Sequence, residues 1–361
     1  MKRPPARANN QRGRHSSSLD CNANRRHRMK RKLWSLAGAL ALALVPCIGT
    51  AQTDVYHQQW TKDLKGKTIA YVPVASGLAL TDIWGQTMAD YAEHAGMKFT
   101  THDPGFDTQR EVQILTSLIA QHPDVIIAHN PDVQSLANVL KRAVEAGIYV
   151  IQVNMGSKFP SAAFVGVDPV ELGTKMATAV VNACGGPSAR SHKIALMNGV
   201  VTSAYSLGIM QGAKAVFDQH KDITIVSDQA ANWTSKIAHD KAATVLQAHS
   251  DLCAYMGWWS GQDQGIAQAV EQAGLQGKVK VFTTGGGEPP ACDYIRDGKF
   301  YETFSYQAEK QAIQMVTLAE FLLQSGIKPG NVHTTIYTPI VSYTKDNITP
   351  TACTKVKKAK S

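Results

Sequence analysis

The sequence has little that would hold it in a membrane, on a nucleic acid or around a metal. The apolar run at residues 33–45 falls short of the roughly 20 residues that a bilayer-spanning helix needs. A polytopic membrane protein is excluded. Clustered positive charge is also missing where a nucleic acid could use it. Eleven of the 37 lysines and arginines lie in residues 1–32, against one acid, Asp20; the remainder carries 26 basic and 27 acidic side chains, so the formal charge of +9 belongs to the N-terminus. A surface that follows phosphates needs its cations on the folded domain, and no nucleic-acid partner is expected. Metal-ligand spacing is absent too. Cys184, Cys253, Cys292 and Cys353 lie 39 or more residues apart, and the twelve histidines form no HExxH pair. Neither a metal nor a cofactor is expected.

Catalytic and nucleotide motifs fail in informative ways. Gly66, Lys67 and Thr68 end like a phosphate-binding loop, but Thr61 stands where the first glycine belongs and the segment precedes a strand instead of following one. Residues 257–261 (GWWSG) resemble a nucleophile elbow with the serine displaced by one position, off the apex of the turn. The triple glycine 285–287 lacks dinucleotide spacing and suits close approach of a ligand or a second lobe. No nucleophile, acid pair or base converges, so the chain is not expected to be an enzyme. His102 and His129 fall at strand ends, where each could serve a ligand or simply line a cleft.

What is present is a hydrophobic content of 44%, enough for a substantial core. Residues 1–28 have no apolar periodicity and read as a disordered extension or a misassigned start. From Met29 a basic cluster, the apolar run and the small residues Gly49 and Ala51 read as a secretory signal peptide over 29–51. Pro46 before Cys47 speaks against lipidation there. Export implies an oxidising compartment, so the four later cysteines suggest up to two disulfides among three connectivities.

From Lys67 onward short β-rich runs alternate with amphipathic helical stretches, the pattern of parallel sheets covered on both faces. Strands are expected at 68–74, 98–102, 124–129, 149–153 and 162–167, then at 193–197, 223–227, 254–258, 279–283 and 301–305. Two such series in some 310 residues imply two lobes. Ligands of open α/β sheets sit beyond the carboxyl ends of strands, and Trp84, Tyr205, Trp233, Trp258, Trp259 and Tyr306 all fall near those ends. Trp258, last in its strand, is the one expected to be buried. Aromatic faces stack on the apolar faces of sugar rings, so the set favours a ligand-lined cleft.

These residues resemble the type I periplasmic solute-binding proteins of ABC importers, in the ribose and galactose cluster, over about residues 66–345. DVIIAHNPD at 124–132 with AVEAGIYVIQVN at 143–154 is similar to that family's strand, Asn-Pro loop, helix and second strand ending in a ligand-facing polar residue. VGVD at 165–168 with ELG at 171–173 is similar to the first crossing between lobes, and Trp233, the Trp258–Trp259 pair, GIAQAV at 265–270 and FTTG at 282–285 complete the match. The resemblance implies an α/β fold of two Rossmann-like lobes with parallel sheets joined by a three-crossing hinge. Lobe 1 would comprise 62–166 plus 308–337, lobe 2 167–307 plus 338–350, and 351–361 would be a tail. It implies ligand contacts at Asp82, Trp84, Asn130, Asn154, Tyr205, Trp233, Trp259, Gly286, Tyr306 and Gln307, and hinge positions at Gly166, Asp168, Gln307 and Thr338. On that fold Cys184 and Cys253 both fall at the outer end of lobe 2; their bond is expected, with Cys292–Cys353 the remaining option.

The implied function is a monomeric periplasmic receptor that closes on a small solute and delivers it to an inner-membrane ABC permease. A chemoreceptor or sensor kinase as the docking partner is the alternative. A LacI-type repressor core is disfavoured, because a secretory signal and no helix-turn-helix precedes Lys67. Departures from the family concentrate in the cleft: Asn154-Met155 replaces a common Asp-Arg, Ser206-Leu207 stands where Arg is common, and Trp259-Ser260 replaces Asn-Asp. Losing those charged groups points away from an ordinary pentose or hexose clamp and toward a deoxy sugar, a small polyol, a cyclic alcohol, or a cationic or aromatic solute.

Overall fold

The structure is a computed structural model that describes residues 54–354. The expected extension and signal peptide, and most of the expected tail, lie outside the described residues. Strands that are apolar at every position must be covered on both faces, and the chain meets that demand twice. The first series is α1 (Val55–Leu64), β1 (Thr68–Val72), α2 (Ala79–His94), β2 (Lys98–Thr101), α3 (Thr108–Gln121), β3 (Val125–Ala128), α4 (Ala137–Glu145), β4 (Tyr149–Val153) and β5 (Ala163–Gly166). The second is α5 (Pro169–Cys184), β6 (Lys193–Asn198), α6 (Ala204–Phe217), β7 (Thr224–Ala230), α7 (Ser235–Ala248), β8 (Ala254–Gly257), α8 (Ser260–Gln272), β9 (Lys280–Gly285), α9 (Pro289–Arg296) and β10 (Glu302–Ser305). The chain then runs through α10 (Ala308–Ser325), β11 (Thr334–Tyr337), β12 (Val341–Thr344) and a 3-10 turn, Pro350–Ala352.

Two six-stranded sheets result, ordered β11-β5-β4-β3-β1-β2 and β12-β10-β9-β8-β6-β7. Among the described residues, only the β10–β12 pair is antiparallel. Side chains alternate across each sheet as the pleat requires. Ile69 and Tyr71 pack with Met88 of α2 and Met315 of α10, whereas Ala70 and Val72 pack with Leu118 of α3 and Leu140 of α4. In the second lobe Ile194 and Leu196 join Met176 and Ile209, while Ala195 and Met197 join Val245 and Ile266. The expected two-lobed, mostly parallel α/β fold is what forms.

Three segments pass between the sheets: after β5, after β10 and after β11. Hydrogen bonds tie them together. Thr338 donates from its backbone N to the Gly166 carbonyl at 2.7 Å, and Gln307 Nε2 donates to the Pro339 carbonyl at 2.9 Å. Gln311 of α10 joins the third of them to α2: its Nε2 donates to Thr338 Oγ1 at 3.1 Å, and its Oε1 accepts from Trp84 Nε1 at 3.2 Å. Asp168 caps α5, accepting from Val170 N at 2.9 Å and Glu171 N at 3.2 Å. Gly166 must lack a side chain, since a Cβ there would sit 2.6 Å from the Phe164 ring and 2.9 Å from the Asn154 Cα.

Two features differ from the sequence reading. Helix α1 precedes the expected start of the fold; Asp54 caps it, and only Leu64 is buried, so it offers no apolar stripe to read. The first residues of the expected tail are anchored: Cys353 is bonded to Cys292, and Thr354 N donates to the Gly287 carbonyl at 3.0 Å. The Cys184–Cys253 bond forms as well.

One buried acid in the first lobe has a measurable consequence. Glu111 on α3 is 1% exposed and its Oε1 has no hydrogen-bond partner. Burial, and then the neighbouring Asp132 charge, pushes its pKa from 4.5 up to about 9. The folded chain therefore holds a proton that the unfolded chain releases between those values, and stability falls as pH rises through that window. Glu111→Gln is expected to add roughly 2–3 kcal/mol of unfolding free energy at about pH 7 and little at about pH 4. Urea midpoints at the two pH values check this; equal gains at both would remove the buried proton as the cause.

Candidate functional site

Carboxyl ends of parallel strands from both sheets converge on one cavity, where open α/β sheets place ligands. The first lobe contributes Val74 after β1, Leu80 and Thr81 at the start of α2, Phe106 before α3, His129 after β3, and Asn154 and Met155 after β4. From the second lobe come Tyr205 after β6, Trp233 after β7, Trp259 after β8 and Tyr306 after β10. The cavity enclosed between them measures about 40 Å³, smaller than a sugar-sized pocket, so a ligand of that size needs the lobes to part. The lobes meet directly around it. Val133 N of the first lobe donates to the Thr202 carbonyl of the second at 3.2 Å.

The aromatic walls are held in place by buried polar groups. Trp259 Nε1 donates to Glu288 Oε1 at 3.1 Å, and its backbone N donates to Asp263 Oδ2 at 3.2 Å. Glu288 also accepts from Gly286 N at 2.9 Å, and Asp263 from Thr283 Oγ1 at 2.6 Å. Burial raises both carboxyls, Asp263 to about 7, and those same hydrogen bonds pull each partly back. Trp233 donates its backbone N to Gln262 Oε1 at 2.9 Å and sits at a φ of 62°; Asn154 sits at 53°. Side chains other than glycine rarely adopt such left-handed backbone, and it concentrates at functional sites. Burial holds the Tyr205 and Tyr306 phenols above their usual pKa, and the two rings meet edge to face at 6.2 Å. Burial drives the His129 imidazole down to about 3, so it is neutral. Its Nδ1 has no hydrogen-bond partner, and the Trp84 ring stands edge-on to it at 5.1 Å.

Of the ten residues the sequence offered as ligand contacts, the cavity gathers Asn154, Tyr205, Trp233, Trp259 and Tyr306. The other five lie off its walls. Asp82, one position on from Thr81, is turned away by the helical rotation and accepts from Gly77 N at 3.0 Å. Trp84 is fully buried among Ile83, Met88 and Gln311. Asn130 follows His129 and turns to the other side, donating from Nδ2 to Gln152 Oε1 at 2.9 Å and to the Met155 carbonyl at 2.7 Å. Gly286 is closed on its Cβ side, where an added Cβ would meet Ala308 at 2.5 Å and Leu80 at 2.7 Å, and its backbone N is taken by Glu288. Gln307 belongs to a crossing segment. His102 bonds with Thr100 at 3.0 Å and does not line the cavity. Trp258 is core, as expected. Sequence reasoning missed Thr81, Leu80, Phe106 and Glu288. Only Glu288, an acid just after a strand and a glycine run, carried a signal that could have been followed.

Comparison with known proteins agrees with this architecture. Residues 69–328 match the periplasmic binding protein domain family, and the chain belongs to it. It is 26% identical over 242 residues to the D-ribose/D-allose-binding protein of Pseudomonas aeruginosa, covering 65% of this chain and 74% of that protein. Over 207 residues it is 29% identical to the D-allose-binding periplasmic protein of Escherichia coli, covering 55% of this chain and 65% of that one. An ABC transporter periplasmic solute-binding protein from Actinobacillus succinogenes, solved with bound D-allose, superposes with a TM-score of 0.69 at 23% identity, covering 78% of this chain and 98% of that one.

Proposed function

We propose that the chain is the periplasmic solute-binding component of an ABC importer, closing its lobes around a small sugar-like or polyol-like solute and delivering it to the permease. The observation that carries this reading is the convergence of Asn154 from the first lobe with Tyr205, Trp233, Trp259 and Tyr306 from the second on one cavity. Ligand gripped by both lobes stabilises the closed form, and the crossings at Gly166, Asp168, Gln307 and Thr338 form the hinge that closure bends. In this reading lobe 1 comprises 62–166 with 308–337, and lobe 2 comprises 167–307 with 338–350.

Export through the 29–51 signal is supported by two disulfides, which persist in oxidising compartments, and by the periplasmic relative. The receptor acts as a monomer that binds without chemistry. The carboxyls near the cavity, Asp263 and Glu288, hold Trp259 and the strand-end loops rather than facing one another as an acid pair.

The test is a panel of sugars and polyols screened by intrinsic tryptophan fluorescence and melting temperature. One solute class should shift both, since Trp233 and Trp259 line the cavity, and Trp233→Ala should weaken that response at least tenfold. A panel that moves neither signal would overturn the binding reading.

A further inference from the structure

The cavity walls carry few polar groups that a hydroxylated ligand could use. Thr81 Oγ1 already donates to the Ala75 carbonyl at 2.8 Å, and Tyr205 pairs with Thr284 at 3.3 Å. Asn154 Oδ1 already accepts from Val167 N and from Gln311 Nε2, each at 3.4 Å, and Trp259 Nε1 is taken by Glu288. No lysine, arginine or free carboxylate lines the space. A monosaccharide with a full set of hydroxyls would leave several of them buried without partners, and each weakens binding by about tenfold.

One polar side chain on the wall is unengaged in the opposite sense. His129 is 4% exposed, lines the cavity, and its Nδ1 makes no hydrogen bond. A neutral imidazole offers one donor and one acceptor, and a buried ring nitrogen without a partner in the protein is one that a ligand can satisfy. Its backbone N is fixed to the Val72 carbonyl at 3.0 Å and its ring is buttressed by Trp84, so it is pre-oriented.

We propose that this cavity selects neutral cyclic solutes with few hydroxyls, such as deoxy sugars or alicyclic diols, over fully hydroxylated aldoses, and that the His129 ring makes the selecting hydrogen bond. The inference rests on the solute-binding reading above and narrows its substrate class.

The experiment is calorimetric titration of the full mature chain with two probe sets: D-ribose and D-allose against 2-deoxy-D-ribose and cis-1,2-cyclohexanediol. At least one of the second set is expected to bind ten times or more tightly than either aldose. His129→Phe should lose at least tenfold for that probe, and His129→Gln, which keeps a donor and an acceptor, should recover part of the loss. Melting curves of each variant confirm folding before titration. If D-ribose or D-allose binds tightest, or if folded His129→Phe binds its probe unchanged, the inference falls while the binding reading stands. If no probe of either set binds, both fall together.

Discussion

Trp84→Ala is expected to cost about 3–5 kcal/mol of stability. The indole is fully buried, so its removal leaves a large cavity between α2 and α10. It also strips the partner from Gln311 Oε1, which accepts the indole N–H at 3.2 Å. An orphaned buried amide adds a desolvation penalty to the lost packing. The damage does not stay local, because Gln311 links Asn154 on the cavity wall to Thr338 in the third crossing, and Thr338 Oγ1 donates onward to the Gly166 carbonyl at 3.0 Å. Trp84→Phe separates the two contributions: it keeps most of the volume and should lose about 1–3 kcal/mol. Urea denaturation followed by circular dichroism reads both variants. If Trp84→Ala unfolds within about 1 kcal/mol of the parent, the indole is not the keystone described here.

The alternating fold was legible because strands covered on both faces, such as 125–128, apolar throughout, and 149–153, apolar but for Gln152, stand out from the amphipathic helices around them. Their order fixed which residues follow carboxyl ends, and that sufficed to find Tyr205, Trp233, Trp259 and Tyr306. Helix α1 was illegible, since a helix that buries only Leu64 has no stripe. The cavity face of α2 was illegible for another reason. Whether Thr81 or Asp82 looks into the cleft, and whether Trp84 looks out of it, depends on how α2 rotates against α10, a helix contributed much later in the chain. Asn130 failed in the same way: one residue's difference in register moves a side chain across the sheet, and only the pairing of β3 with β4 decides which of His129 and Asn130 meets the ligand space. Gln311 left a faint trace as an amide among Ala308, Ala312 and Met315 on an otherwise apolar face, but its partners lie far away in sequence.

Removing the Cys184–Cys253 bond, as the double alanine variant or by reduction, is expected to cost about 4 kcal/mol while leaving solute affinity nearly unchanged. The bond closes a loop of 69 residues that contains β6, α6, β7 and α7, so the unfolded chain regains much freedom when it is cut. The folded second lobe has no way to soften that loss. Both cysteines are fully buried, at the end of α5 and the threshold of β8, and neither segment can detach without opening the sheet. Cys292–Cys353 closes a loop of similar size, 61 residues, yet its loss should cost markedly less. Without it the segment beyond β12 can fray from α9 while both sheets stay intact, because the contacts that end the described chain are the Thr354 N to Gly287 carbonyl bond and the Arg296 contact to Cys353. Denaturation midpoints of the two double variants, together with their affinities for the same solute, test the contrast. Equal destabilisation by the two would mean that the terminal segment is as integral to the second lobe as α5 and β8 are. A lost affinity in the Cys184→Ala/Cys253→Ala variant would mean that the outer end of that lobe governs the strand-end loops carrying Tyr205, Trp233 and Trp259.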